Sequence, residues 1–132
     1  MKRTGILHAE LSALVAALGH GDTLVIGDAG LPVPPGVRCI DLAVSPGVPR
    51  FQQVVNAVLS ELVVEQGLAN AEQVEAAPAA AAELDAAWPA GVPLERIPHQ
   101  RLKAASETAR AVVRTGETTP YCNLVLVAGV SF

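Results

Sequence analysis

The sequence predicts an α/β domain in which one sheet is flanked by helices on both faces, and three features predict it. Short apolar runs such as Thr23–Ile26 and Leu124–Val130 alternate with longer stretches of 3.6-residue period. The runs are continuously apolar, the signature of strands covered on both sides. Gly- and Pro-rich punctuation separates the segments with no linker or internal repeat, so the 132 residues form one domain.

Each element can be justified in order. Leu11, Leu14, Val15 and Leu18 recur at helical spacing and Gly19 follows as a C-cap, which predicts a helix over about residues 8–18, with His8 solvated on it. Thr23–Ile26 is a buried strand closed by the turn Gly27-Asp28-Ala29-Gly30. Pro32, Pro34 and Pro35 make the next segment a rigid loop. Val37–Leu42 is a second strand. Phe51, Val54, Val55, Val58, Leu59, Leu62 and Val63 predict a helix over about residues 50–65. Residues 71–76 fit a third strand, and Pro78 opens a short Ala-rich helix to Ala87. Leu94–Pro98 is a strand, about residues 100–114 are helical, Thr115-Gly116-Glu117 is a turn, and the apolar run from Leu124 is a final strand.

Composition narrows the function. Net charge is −4 and the nine Lys and Arg are scattered, which argues against a nucleic-acid partner. No apolar run approaches the roughly 18 residues of a membrane helix, and the start of the chain is too broken for a signal sequence. A cytoplasmic protein with Cys39 and Cys122 as free thiols is expected. A 51% hydrophobic content with only four aromatic residues leaves apolar surface that a homo-oligomer would cover.

In open α/β sheets, reactive groups collect where strands end. Here those junctions carry His20 with Asp28, His99, Tyr121 and Asn123. Histidine exchanges protons near neutrality, and a carboxylate in reach would fix its tautomer. On the residues alone, bland readings stand beside this one. His20 fits a helix-end histidine, Asp28 and Asn123 fit turn formers, His99 a surface residue, and Tyr121 a packing residue. Asp41, inside an apolar strand, must be paired or near an edge, and Asp22 fits a turn. No HxH or HxxxH spacing points to a metal. The Gly27–Gly30 turn lacks a GxGxxG pattern and runs into prolines, so a nucleotide cofactor is disfavoured. Ser45, Ser60, Ser106 and Cys122 lack the setting of a nucleophile.

Five blocks carry a resemblance. Lys2–Leu7 (KRTGIL), Leu18–Pro32 (LGHGDTLVIGDAGLP), Gly47–Phe51 (GVPRF), Pro98–Lys103 (PHQRLK) and Pro120–Leu126 (PYCNLVL) resemble the D-ribose pyranase family in order and content, from residue 2 onward. The Ala-rich middle matches weakly. The resemblance implies a mutarotase, without cofactor, that converts the β-pyranose form of D-ribose to the β-furanose form preferred by ribokinase. By position, His20 matches the family's proton donor. Asp28, His99, Tyr121 and Asn123 match substrate-contacting residues, with Cys122 contributing through its main chain. Cys122 stands where the family commonly has alanine, as does Gly27. The related L-fucose mutarotases tend to have His-Phe at Gly30-Leu31 and Arg-Phe around His99, so the resemblance favours ribose. It also implies rings of five, often stacked as decamers, with sites near subunit boundaries.

The chemistry so implied is general acid–base catalysis, typically about 10²–10⁴-fold per positioned group. His20 would protonate the departing ring oxygen while Asp28 orients the imidazole or a sugar hydroxyl. His99, Tyr121 and Asn123 would hold hydroxyls. Either His99 or a water could take the anomeric proton. The alternatives are an L-fucose mutarotase activity and a ring that binds sugar without catalysis.

Overall fold

Leu24, Val25 and Ile26 are completely buried because their strand lies in the middle of the sheet. The computed structural model describes residues 1–132. In chain order the elements are α1 (Ala9–Ala17), β1 (Thr23–Gly27), β2 (Arg38–Asp41), α2 (Phe51–Leu59), β3 (Val64–Asn70), α3 (Gln73–Ala76), α4 (Pro78–Ala87), β4 (Leu94–Ile97), α5 (His99–Ser106), β5 (Ala111–Arg114) and β6 (Leu124–Ala128). The six strands are ordered β2-β5-β1-β6-β3-β4. Strand β5 runs parallel to β1 and β2, and β4 runs parallel to β3, while β6 is antiparallel to both its neighbours. The C-terminal ends of β1, β3 and β4 therefore lie on the edge at which β6 begins.

Side chains alternate across the sheet. Leu24, Ile26, Val113, Leu124 and Leu126 point to the thicker side, a cluster of nineteen buried residues completed by Leu11 and Leu14 of α1, Val55 and Val58 of α2, and Leu84 of α4. Val25, Val112 and Val125 face a cluster of seven with Leu31, Ile97 and Leu102. That side is covered by α5 and by Val33 and Val37 of the proline-rich segment. The sheet is thus covered on both faces, unequally. No helix is long and apolar enough to cross a membrane.

Four details differ from the sequence reading. The helix over 50–65 ends at Leu59, and the chain turns into β3. Gly67 disguised that strand, yet the site has no room for a side chain: a Cβ there would lie 2.5 Å from Cζ2 of Trp88, which crosses the strand. Residues 71–76 hold α3, not a strand. The helix over 100–114 stops at Ser106, whose hydroxyl donates to the Lys103 carbonyl at 2.6 Å, a local bond that competes with continued helix. Ala111–Arg114 then forms β5, wedged between β1 and β2. Last, His8 is exposed as expected but precedes α1 and caps it, its Nδ1 accepting the Leu11 N–H at 3.2 Å.

Asp41 is on edge strand β2 and is also paired. Arg114 donates to both its oxygens, at 3.1 and 2.6 Å, holding its carboxyl below the ordinary range. Asp22 accepts the Gly19 N–H at 2.9 Å and a bond from Arg110 at 2.8 Å. Cys39 is exposed, Cys122 is buried, and both are free thiols.

Candidate active site

Where β1 ends, Gly27 brings the backbone so close to Asn123 and Leu31 that a Cβ would lie 3.2 Å from Asn123 Oδ1 and 2.6 Å from Leu31 Cδ2. Asp28 then turns the chain, its Oδ1 accepting the Gly30 N–H at 2.9 Å. Its own N–H donates to Asn123 Oδ1 at 2.9 Å. Beside this turn lies a cavity of about 430 Å³, lined by Asp28, Gly30, His99, Glu117, Tyr121 and Asn123 among others. It occupies the sheet edge formed by the C-terminal ends of β1, β3 and β4.

Burial pushes the Asp28 carboxyl above its ordinary value, against the opposing pull of the Gly30 and Leu31 amides and the Asn123 side chain. Glu117, on the same cavity, goes the other way. Burial alone would raise it, but bonds from the Thr119 side chain and amide and from the Phe51 N–H outweigh burial and hold it low. Two carboxylates on one cavity are thus pushed in opposite directions: Glu117 ties the loop to the start of α2 through the Phe51 N–H, and Asp28 lines the cavity as a carboxylate whose anion burial disfavours. Tyr121 adopts φ +62, a conformation costing an aromatic residue about 1–3 kcal/mol. In return its ring meets His99 edge-on, with centroids 5.5 Å apart.

A raised carboxyl sets the sign of a pH effect. Folding penalises charged Asp28, so its contribution is most favourable below the ordinary value of 3.8 and falls as pH rises through the higher folded value. Asp28→Asn is therefore expected to melt higher than the parent at pH 7, with the gap closing in melts below pH 3.8. The same variant should bind a polyol in the cavity about 10- to 100-fold more weakly, since bonds to a charged acceptor are lost. Equal or lower melting at pH 7 would remove the desolvation argument.

The model of the RbsD / FucU transport protein family matches residues 1–131. The chain belongs to that family. Among RbsD / FucU relatives, the D-ribose pyranases of Paracidovorax citrulli and Variovorax paradoxus are 53% and 54% identical, with all of each chain covered. Bacillus subtilis RbsD complexed with D-ribose superposes with a TM-score of 0.95 at 43% identity, covering 100% of both chains. The fucose mutarotase of Streptococcus pneumoniae, in complex with L-fucose, shares the fold, with a TM-score of 0.75 at 19% identity over the full length of both.

Of the residues expected from this family, Asp28, His99, Tyr121 and Asn123 line the same cavity. Cys122 does not line it; its side chain is in the core, where burial pushes the thiol up to about 11 and Gln73 donates to Sγ at 3.5 Å. His20 is at the opposite edge, before the start of β1, 62% exposed and bonded through Nε2 to Glu65 Oε2 at 2.7 Å. Five strand residues alone set the two edges at least about 13 Å apart, so Asp28 of the same copy does not orient this imidazole. Two residues at the site escaped the sequence reading. From the sequence Glu117 reads as part of a turn, although a carboxylate two residues after Thr115 and three before Pro120 is a signal. Asn70 terminates the strand that Gly67 disguised.

Proposed function

We propose that the chain interconverts β-D-ribopyranose and β-D-ribofuranose, working in the cytoplasm as a closed ring of five copies or a decamer of two rings. The observation that carries this reading is the cluster of Asp28, His99, Tyr121 and Asn123 around one cavity, on a fold superposing at 0.95 on a ribose-bound relative. A polyol needs several matched donors and acceptors, and this cluster offers a carboxylate, an imidazole, a phenol and an amide.

Ring opening needs no redox step. The anomeric hydroxyl loses a proton, the bond from C1 to the ring oxygen breaks, and that oxygen is protonated. After rotation, another hydroxyl adds to the aldehyde. Asp28 is suited to hold or accept a hydroxyl proton, and His20 is assigned the ring-oxygen proton. Because His20 is at the far edge of its own sheet, the assignment needs another copy to present it to the cavity, which a ring permits and a monomer does not. Exposed Leu7, Val44, Val63 and Val130 supply apolar surface for such contacts.

The test is saturation-transfer NMR on equilibrated D-ribose, with and without protein, and with L-fucose and D-glucose alongside. Accelerated pyranose–furanose exchange for ribose is expected, and no acceleration at high protein concentration would sink the reading. Faster exchange for L-fucose would shift it to the other branch of the family. One observation favours a second reading, a ring that binds sugar without catalysis: the cavity's polar set is complete in a single copy without His20. Saturable sugar binding with unchanged exchange would establish that alternative. Light scattering should give a mass several-fold above 13.6 kDa.

A further inference from the structure

Four residues cross the site edge of the sheet in a single row, one at the end of each of four adjacent strands: Asp28 after β1, Asn123 before β6, Asn70 at the end of β3 and His99 just after β4. Hydrogen bonds join them in sequence. The Asp28 N–H donates to Asn123 Oδ1 at 2.9 Å, Asn123 Nδ2 donates to Asn70 Oδ1 at 3.0 Å, and Asn70 Nδ2 is 3.1 Å from His99 Nδ1. Asn70 and Asn123 are 0% and 1% exposed, so water does not compete for these bonds.

The first link decides all the others. A backbone N–H can only donate, so the atom facing it on Asn123 is the amide oxygen, and the amide nitrogen faces Asn70. Asn70 therefore turns its own oxygen to Asn123 and its NH₂ to His99. An NH₂ group accepts nothing, so His99 Nδ1 must present a lone pair. We infer that Asn70 is a positioning residue that holds His99 as the neutral Nε2–H tautomer, so that His99 offers the cavity a hydrogen-bond donor and no basic nitrogen.

Resting on the ribose reading above, this answers a question about that reaction. His99 cannot take the anomeric proton, because its lone pair is spent on Asn70. Its Nε2, without a partner in the chain, can donate to a sugar oxygen. The charged and titratable groups facing His99 leave this intact: Asp28 lies across the cavity, Tyr121 meets the ring edge-on, and Glu72 is occupied by the His99 backbone N–H at 2.8 and 3.1 Å. Of the acceptors in the row, Asp28 alone has a free basic site for the proton.

The tautomer can be read without any sugar, by ¹⁵N NMR of the histidine side chains near neutral pH, with the His99 signals assigned by their loss in His99→Gln. The expected spectrum has His99 Nδ1 unprotonated and Nε2 protonated. Asn70→Asp keeps the shape but replaces the donor with an acceptor, and His99 should switch to Nδ1–H. Asn123→Asp supplies a second test, since it touches Asn70 and not His99. The new carboxylate would draw the Asn70 NH₂ toward itself, turn the Asn70 oxygen to the ring, and switch the tautomer from two links away. A His99 protonated at Nδ1 in the parent protein, or unchanged in both variants that fold, would overturn the inference. In exchange assays Asn70→Asp should raise the KM for D-ribose by about 10-fold with a smaller change in kcat. A tautomer switch without any ribose effect would leave the relay standing and count against the ribose reading instead.

Discussion

His20→Ala is expected to slow pyranose–furanose exchange by about 10²–10⁴-fold while changing ribose affinity much less, because it removes a proton donor and leaves the polar set of the cavity untouched. The structure adds a second, sharper result. Since His20 and the cavity occupy opposite edges of one copy, a ring mixed from His20→Ala and Asp28→Ala subunits, each lacking one of the two groups assigned a proton, should regain activity that neither has alone. Only junctions pairing an intact cavity with an intact His20 from its neighbour would work, about a quarter of them in a random equal mixture. Exchange rates measured before and after dissociating and reassembling the two variants read this directly. No recovery, with mixed rings verified by mass, would mean that His20 does not act across a junction. Near-normal exchange by His20→Ala alone would move the acid into the cavity itself.

Gly116→Ala should cost about 3 kcal/mol, at the upper end of what overpacking usually does. A Cβ at this position would lie 2.6 Å from the carbonyl carbon of Val48 and 2.7 Å from the Ser45 oxygen, which are backbone atoms without a rotamer to escape into. The same glycine stitches two loops together: its N–H donates to the Pro49 carbonyl at 2.9 Å, and its carbonyl accepts the Gly47 N–H at 2.6 Å. Glu117, the next residue, carries the cavity's tie to α2. Urea unfolding should show the loss, and ribose binding should weaken with it. Gly36→Ala is the control. Its φ of +80 strains an alanine, but nothing lies within 4 Å, so about 1 kcal/mol is expected there. Equal costs at the two positions would show that crowding at Gly116 is relieved by small backbone shifts.

Much of this fold could be read from the chain because its central strands β1 and β6 are apolar and its breaks are marked by Gly and Pro. Three stretches resisted, for reasons that are physical. Ala109, Val112 and Val113 satisfy a helical period as well as a buried strand, and only the place of β5 between β1 and β2 decides between them. Gly67 weakens the strand signal of β3 because the space a side chain would fill belongs to Trp88, a residue distant in sequence. Phe51 to Val63 reads as one helix because apolar spacing continues past Leu59 into the approach to β3. At the site, Asp28, His99, Tyr121 and Asn123 are strand-end residues and could be found in that way. Asn70 could not, since its strand was unseen, and the separation of His20 from Asp28 depends on which edge of the sheet each occupies. An eight-residue gap cannot tell a hairpin's reach from a strand's full length.

The position of β6 also governs how the molecule is made. Of the six strands it comes last in the chain, yet it is inserted between β1 and β3 and is the only link joining β2, β5 and β1 to β3 and β4. Before β6 pairs, β2-β5-β1 and β3-β4 would be two half-sheets, each with a bare edge able to pair with another chain. Their union needs contacts spanning about a hundred residues, such as Leu24 with Leu126, so it should be the slow step of folding. Asn123 arrives with that same strand. The row of polar residues across the sheet closes only when the two halves join, so a half-made chain holds exposed sheet and no working cavity.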